Sequence, residues 1–368
     1  MSGTSMDSID TVATHFNANQ PAIIGTHSHA IPKALRDNVV ALCHENADTV
    51  QRYAETDVHM GEILADASLA LMSQLNLTPH NVAAIGSHGQ TVRHAPPGLN
   101  RVAFSQQIGD PNVISARTGC QVVADFRRAD IANGGQGAPL VPAFHQSAFH
   151  DPQHHRVILN IGGIANISSL PPEGVVCGFD TGPGNRLLDD WCQLHHERAF
   201  DGNGVWAASG KASKHLLEHL QKHPFFAERG PKSTGRELFN LDWLNEALAS
   251  SDLSETNLAP ADVQATLLEL TVDSVASSIE RLDGQVEEVY VCGGGAHNGA
   301  LMSCLRNRLL PVKLDTTEAL GIGPDWVEAV AFAWLAMRRI NRLPGNVTNV
   351  TGACSPSVLG GIYHVTPK

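Results

Sequence analysis

Three glycine-rich segments punctuate the chain: Gly3-Thr4-Ser5-Met6-Asp7-Ser8-Ile9-Asp10, Gly178-Phe179-Asp180-Thr181-Gly182-Pro183-Gly184-Asn185 and Cys292-Gly293-Gly294-Gly295-Ala296-His297-Asn298-Gly299. The first two carry aspartates. Glycine lets main-chain N–H groups approach a polyanion closely. Aspartate supplies a metal ligand or a base. Recurring at wide intervals, the segments predict a nucleoside triphosphate site shared between two lobes. Each also has a plainer reading. Gly3 to Asp10 is compatible with a polar turn, and Asp180 with a turn acid or helix N-cap. Gly293 to Gly295 is compatible with tight helix–strand packing.

The commoner signatures fail. Gly210-Lys211 lacks the earlier glycine of a phosphate-binding P-loop, because position 205 is Val205. The near-match to a dinucleotide fingerprint at Gly293 and Gly295 ends in Asn298. Neither a zinc-protease H-E-x-x-H nor a G-x-S-x-G elbow is present. The doublets His154-His155 and His195-His196 are adjacent, so they cannot share one helix face as ligands, and they read as surface histidines.

These segments need elements to hold them. A chain of 368 residues is comfortable for two domains, and 42% hydrophobic residues suffice for sizeable cores. With 5% aromatics the cores are aliphatic, as in α/β proteins. A net charge of −12 argues against nucleic acid as a partner. Any phosphate site must be locally positive through amides, helix N-termini, arginines and a metal. The seven scattered cysteines contain no C-x-x-C pair, which reads as a reducing, cytoplasmic compartment without zinc. No signal peptide and no membrane-spanning apolar run are evident.

Residues 11–16 and 22–29 read as a strand meander, and Pro32 opens a helix to about residue 45. Leu64, Ala67, Leu71 and Leu75 mark a long helix within 49–77. Strands are predicted at 82–87, 120–125, 156–161, 166–170, at 175–179 ending at Asp180, and at 288–292. Helices are predicted at 185–195, 259–282 and 325–340. The strand normally found ahead of a phosphate loop is missing before Gly3. The alternation predicts a mixed-sheet α/β protein of two similar lobes. The first lobe takes residues 1–130 with about 341–368, and the second takes 131–340.

Together these residues resemble the acetate and sugar kinase, Hsp70 and actin superfamily. More closely, the chain is similar to the anhydro-N-acetylmuramic acid kinase family. The resemblance is carried by Ser2-Gly3-Thr4-Ser5-Met6-Asp7, Ser87-His88-Gly89-Gln90-Thr91, Ala124-Asp125-Phe126-Arg127, Asn160-Ile161-Gly162-Gly163-Ile164-Ala165-Asn166, Phe179-Asp180-Thr181-Gly182-Pro183-Gly184-Asn185 and Gly323-Pro324-Asp325-Trp326-Val327-Glu328-Ala329. It departs at Ser8, where the family usually has glycine, and at the missing first strand, which is expected to weaken the positioning of Asp7.

The resemblance implies two ribonuclease-H-like lobes, with ATP in the cleft between them. It implies hydrolytic opening of the 1,6-anhydro bond of an amino sugar with phosphorylation of O6, in cell-wall recycling. Asp180 would be the base that activates water. Gly3, Thr4, Ser5, Met6, Asp7, Ser8, Ile9 and Asp10 would form the first phosphate loop, with Asp7 and Asp10 holding Mg2+. Gly162 and Gly163 would form the opposing phosphate hairpin, and Gly293, Gly294 and Gly295 the adenosine wall. His88, Gln90, Arg127 and Glu328 would contact the sugar. For Arg127 the residues alone leave pairing with Asp125 or Asp130 as the alternative. A homodimer is implied, with no membrane partner. Two rival readings remain: an ordinary sugar kinase of the superfamily, and an ATP-driven actin-like assembly protein.

Overall fold

A computed structural model describes residues 1–3, 6, 8–17, 20–44, 47–98, 102–230, 232–235, 238–250 and 258–364. Its strands are β1 (Ser8–Asn17), β2 (Gln20–Ala30), β3 (Ile85–Gly86), β4 (Gln90–Ala95), β5 (Phe104–Ile108), β6 (Val122–Ala124), β7 (Arg156–Ile161), β8 (Ile164–Leu170), β9 (Cys177–Pro183), β10 (Glu288–Cys292), β11 (Lys313–Thr316) and β12 (Gly361–Tyr363). The class is mixed α/β. The chain forms two compact units, Met1–Ala148 with Trp326–Lys368, and Phe149–Asp325. These boundaries fall later than residue 130 and earlier than residue 340. The helix Val327–Ile340 accounts for the second difference, because it packs against β1, β3 and β6 of the first unit.

In the first unit β1 and β2 form the expected antiparallel hairpin, with a register shift at Ala13/Thr14. Ser2 bridges Ile9 of β1, and the Asp10 N–H donates to the Met1 carbonyl at 2.8 Å. The other strands divide into β12-β6-β3 and β4-β5. The helix Val50–Gln74 presents Met60, Leu64, Ala67 and Leu71 to a core shared with Ile9, Val39, Ile108 and Val122. Its first turn is closed by Thr49, whose hydroxyl accepts from the Arg52 N–H. A cavity of about 530 Å³ follows β1, with Thr11, Ile24, Leu64 and Ala333 in its walls, and Arg127 and Glu328 do not line it.

The second unit carries a five-stranded sheet in the order β11-β10-β7-β8-β9. β11, β10 and β7 are parallel, while β8 and β9 are antiparallel to their neighbours. Val157, Leu159, Val289 and Val291 are fully buried, as the apolar runs of central strands require. The helix Pro260–Glu280 starts with proline at its first turn and buries Leu267, Leu270, Val275 and Ile279 in the same core. Each such side chain contributes about 1.5–3 kcal/mol when removed from water.

One predicted surface histidine is in fact interior. His155 is 4% exposed, and its Nε2 lies 2.8 Å from Ser169 Oγ. The lesson is local: a neighbour on the paired strand β8 supplies the partner that burial demands. No described helix is long and apolar enough to cross a membrane.

The C-terminal segment is tied to the first unit by the carboxylate of Asp130, which is 0% exposed. Its Oδ1 accepts from Asn346 Nδ2 at 2.6 Å and Thr351 Oγ1 at 2.8 Å, and its Oδ2 from the Gly137 N–H at 2.8 Å. Asp130→Ala would strand three buried donors. We expect it to lower the stability of the first unit by about 3–5 kcal/mol in urea unfolding, whereas Asp125→Asn, which removes a partly exposed ion pair and tolerates the left-handed backbone there, is expected to change it by under about 1 kcal/mol.

Candidate active site

The first unit assembles the predicted sugar contacts. His88 follows β3 and Gln90 opens β4, and both are buried. Arg127 follows β6, and Glu328 lies in the first turn of the helix Val327–Ile340. There the helix dipole favours a negative charge. One turn later Phe332 packs under the His88 ring, with centroids 4.5 Å apart.

Arg127 donates through Nε and Nη2 to His88 Nε2, at 3.2 and 2.9 Å, and through Nη1 to the Gly137 carbonyl at 3.0 Å. A guanidinium only donates, so Nε2 of His88 is the acceptor and its proton sits on Nδ1. That nitrogen lies 2.9 Å from the Gly89 carbonyl and donates to it. Burial, and then the adjacent Arg127 charge, hold the imidazole well below the usual histidine range. Arg127 is itself brought down to about 10 by burial, with Glu328 opposing. Burial raises Glu328, and Arg127 counters it. The alternative partners are otherwise engaged, since Asp125 pairs with Arg128 at 2.7 Å and Asp130 serves the C-terminal segment. Gln90 Oε1 accepts from Ser2 Oγ at 2.6 Å, and Gln90 Nε2 donates to the Thr91 carbonyl.

In the predicted phosphate loop, Thr4, Ser5 and Asp7 lie outside the described residues. Met6 and Ile9 bury their side chains in the core, so any ligand role of theirs is through main chain. Asp10 Oδ1 accepts from Ser8 Oγ at 3.2 Å and Ser28 Oγ at 2.9 Å. Among the described residues no cluster of three or more His, Cys, Asp or Glu could hold a metal ion.

In the second unit, the turn from β7 to β8 is built into the start of the helix Asn185–His196. The Asn185 N–H donates to the Gly162 carbonyl at 2.8 Å, and the Gly184 and Arg186 N–H groups to the Gly163 carbonyl at 3.0 and 3.1 Å. Asn185 Nδ2 donates to the Ile161 carbonyl at 3.1 Å. Gly293 to Gly295 follow β10, the strand beside β7, so these two glycine segments meet at the C-terminal ends of parallel strands. The glycines there divide into two kinds. A methyl at Gly293 would lie 2.4 Å from Asn160 Oδ1, and φ is +79° there. One at Gly295 would lie 2.4 Å from the Ile161 side chain. Packing alone therefore demands those glycines. At Gly162, Gly163 and Gly294 a methyl would meet nothing closer than 3.6 Å, and at Gly3 nothing within 4 Å.

Asp180 is not at a strand end. It lies within β9, opposite Asn166, and the strand continues to Pro183. β9 is the last strand of the sheet, and its outer edge is met by an irregular segment. The Asp180 N–H donates to the Lys232 carbonyl at 3.0 Å, and Asp180 Oδ2 accepts from the Thr234 N–H at 2.9 Å. Thr234 and Lys232 carry no signal in the sequence, and Asn160 and Asn185 enter it only as members of the glycine segments. The asparagines stand beside marked glycines, whereas Lys232 and Thr234 sit in an ordinary polar stretch.

Open glycine main chain at the C-terminal ends of parallel strands is a setting in which a ligand can approach the backbone closely. Comparison with known proteins narrows the class. The sequence profile of the anhydro-N-acetylmuramic acid kinase family matches residues 1–365. An anhydro-N-acetylmuramic acid kinase of Shewanella halifaxensis is 51% identical over 364 residues, covering 99% of this chain and 97% of that one. One of Shewanella denitrificans is 50% identical, covering 99% and 96%. Among solved structures, the activator of 2-hydroxyisocaproyl-CoA dehydratase from Clostridium difficile with bound ADPNP aligns at a TM-score of 0.44 and 12% identity, covering 91% of this chain and 96% of that one. The chain belongs to the anhydro-N-acetylmuramic acid kinase family, and it is a kinase.

His88 is 6% exposed and His145 2% exposed, and burial lowers both, His145 to about 3. A depressed folded value means stability present above the unfolded value of about 6.5 and lost as pH falls toward the folded one. Each is expected to remove up to about 1.4 kcal/mol per pH unit below pH ~6.5. Urea unfolding between pH 7 and 5 checks this, and His145→Gln should flatten the slope. Nitrogen NMR of the His88 ring should show Nε2 unprotonated throughout.

Proposed function

We propose that this enzyme uses ATP to phosphorylate O6 of 1,6-anhydro-N-acetylmuramic acid while water opens the anhydro bridge, releasing N-acetylmuramic acid 6-phosphate and ADP. The observation that carries the sugar side is the Arg127 guanidinium. Anchored on His88 and Gly137, it uses three of its five N–H donors and keeps others for a carboxylate such as the lactyl group of this sugar. Glu328, in the first turn of the helix whose Phe332 packs under His88, suits a sugar hydroxyl or amide, as does Gln90, while His88 anchors Arg127.

Asp180 is the proposed base. An inverting hydrolysis needs one carboxylate to take a proton from water and an acid for the leaving oxygen. Here O6 leaves onto phosphorus, so a single carboxylate suffices. The Thr234 N–H fixes one oxygen of that carboxylate, and strand β9 fixes its backbone.

The ATP side rests on the open glycines. Gly3, Gly162, Gly163 and Gly294 need no glycine for their own packing, which favours close approach of phosphate and nucleotide to the main chain. Gly293 and Gly295 would act by shaping the turn that carries Gly294. Mg2+ keeps several waters and needs only one or two carboxylates besides phosphate oxygens. Asp10 fits that role, with Asp7 its companion outside the described residues. The ion would neutralise charge on the transferring phosphoryl group. A homodimer in a reducing, cytoplasmic compartment accompanies this reading; the described cysteines form no disulfide.

Turnover in oxygen-18 water tests the reaction. Label is expected at C1 of the sugar phosphate, and unlabelled product would indicate ordinary sugar phosphorylation instead. Asp180→Asn is expected to bind ATP as the parent does and to lose about 10²–10⁴-fold in kcat. Gly162→Ala should keep the parent melting temperature and weaken ATP binding about tenfold or more, the scale of one charge-assisted hydrogen bond. By contrast, Gly293→Ala should lose about 1–3 kcal/mol of stability.

A further inference from the structure

Asp180 lies on an edge strand, whose outer main-chain groups have no neighbouring strand to pair with. The segment after the short helix Pro224–Ala227 supplies the missing edge. It contributes the Lys232 carbonyl to the Asp180 N–H and the Thr234 N–H to the Asp180 carboxylate. The segment has no regular secondary structure, so it needs its own anchor.

Lys232 provides that anchor. Its ammonium donates to the Phe225 carbonyl at 2.7 Å and sits 4.1 Å from the centre of the Phe225 ring. Phe225 is 4% exposed and belongs to the core of the unit, packed edge-on against Phe226 and Phe239 at 5.8 and 5.4 Å. Phe226 in turn closes over Gly182 of β9, where a methyl group would lie 3.0 Å from the ring. Gly230 lies against the Phe179 ring, which leaves no room for a methyl there. The segment is therefore pinned on both sides of Asp180, and the ammonium ties it to the rigid core. The same ammonium is close enough to attract the Asp180 carboxylate.

We propose that Lys232 is a positioning residue for the proposed base: by gripping the Phe225 carbonyl and ring it fixes the segment 232–234, so that the Thr234 N–H holds the Asp180 carboxylate in its working orientation. The inference rests on the reading of Asp180 as the base. It assigns Lys232 no contact with either substrate. A cation was selected by the geometry, because a carbonyl at one end and an aromatic face at the side are both satisfied by an ammonium and by no neutral side chain of that length.

Lys232→Met keeps the length and the apolar stem but removes the charge. In the full-length enzyme, assayed with ATP and 1,6-anhydro-N-acetylmuramic acid, kcat is expected to fall about tenfold or more, as misplacement of a reacting group by an ångström does. Both KM values should stay within about twofold, the mark of an interaction felt in the transition state alone. The melting temperature should be unchanged, and amide exchange of the 232–235 segment should speed up. Lys232→Arg, which still donates to the Phe225 carbonyl, should recover most of kcat. Full kcat in Lys232→Met overturns the inference, as does unaltered exchange at Thr234. So does a fall in melting temperature that Lys232→Arg leaves uncorrected, which would make the lysine a stability element. Asp180→Asn, run in parallel, separates the two levels. If it is inactive while Lys232→Met is fully active, only the role of Lys232 fails. If it turns over normally, both fail together.

Discussion

A guanidinium cannot be taken out of water without partners for its donors. That constraint organises the first unit. Arg127 is satisfied by an imidazole on one side and the Gly137 carbonyl on the other. The imidazole must then be neutral, with its proton on Nδ1, and Gly89 supplies the carbonyl that proton needs. The Gly137 carbonyl must be held still, and its own N–H is claimed by the buried Asp130 carboxylate. Asp130 collects its remaining donors from Asn346 and Thr351, near the end of the chain. One chain of hydrogen bonds thus links Arg127 to residues more than two hundred positions away.

The second unit solves a different problem, that of ending two neighbouring parallel strands in glycine without loosening a sheet. Its parallel strands β7 and β10 end side by side, and each runs into glycine. Part of that glycine is spent on the protein itself. Gly293 and Gly295 admit Asn160 and Ile161 at distances a side chain would forbid. The rest keeps backbone exposed. A single glycine run therefore mixes tightly packed and open positions, and only atomic neighbours distinguish them. The helix Asn185–His196 starts on the same turn, and its first amides are spent on the Gly162 and Gly163 carbonyls, which fixes the turn against the helix.

Edge strands carry a cost, since their outer groups look for partners. In β9 that cost is turned to use. The segment that satisfies the edge also captures the carboxylate of Asp180, and its lysine is fastened to core phenylalanines. The Asp180 carboxylate is thus linked, through that segment, to packing several residues away, in the layer formed by Phe225, Phe226 and Phe239.

Much of this was legible in the residues. The hairpin at β1 and β2, the long helices and the strands leading into Gly162 and Gly293 follow from alternation, helical spacing and glycine punctuation, all of which act over a few residues. The short range of those rules is also their limit. His155 reads as a surface residue until Ser169 is placed beside it, and β9 reads as ending at Asp180 although pairing with β8 carries it to Pro183. Arg127 had two possible protein partners in sequence, Asp125 and Asp130; each is taken by other donors, and His88 and the Gly137 carbonyl receive its N–H groups instead. Lys232 and Thr234 give no local sign of a role. Residue types and local spacing set which chemistry was available and which elements would form. Which oxygen meets which N–H was decided by the tertiary structure, because a buried polar group accepts whatever partner the packed chain brings within about 3 Å, at any distance along the sequence.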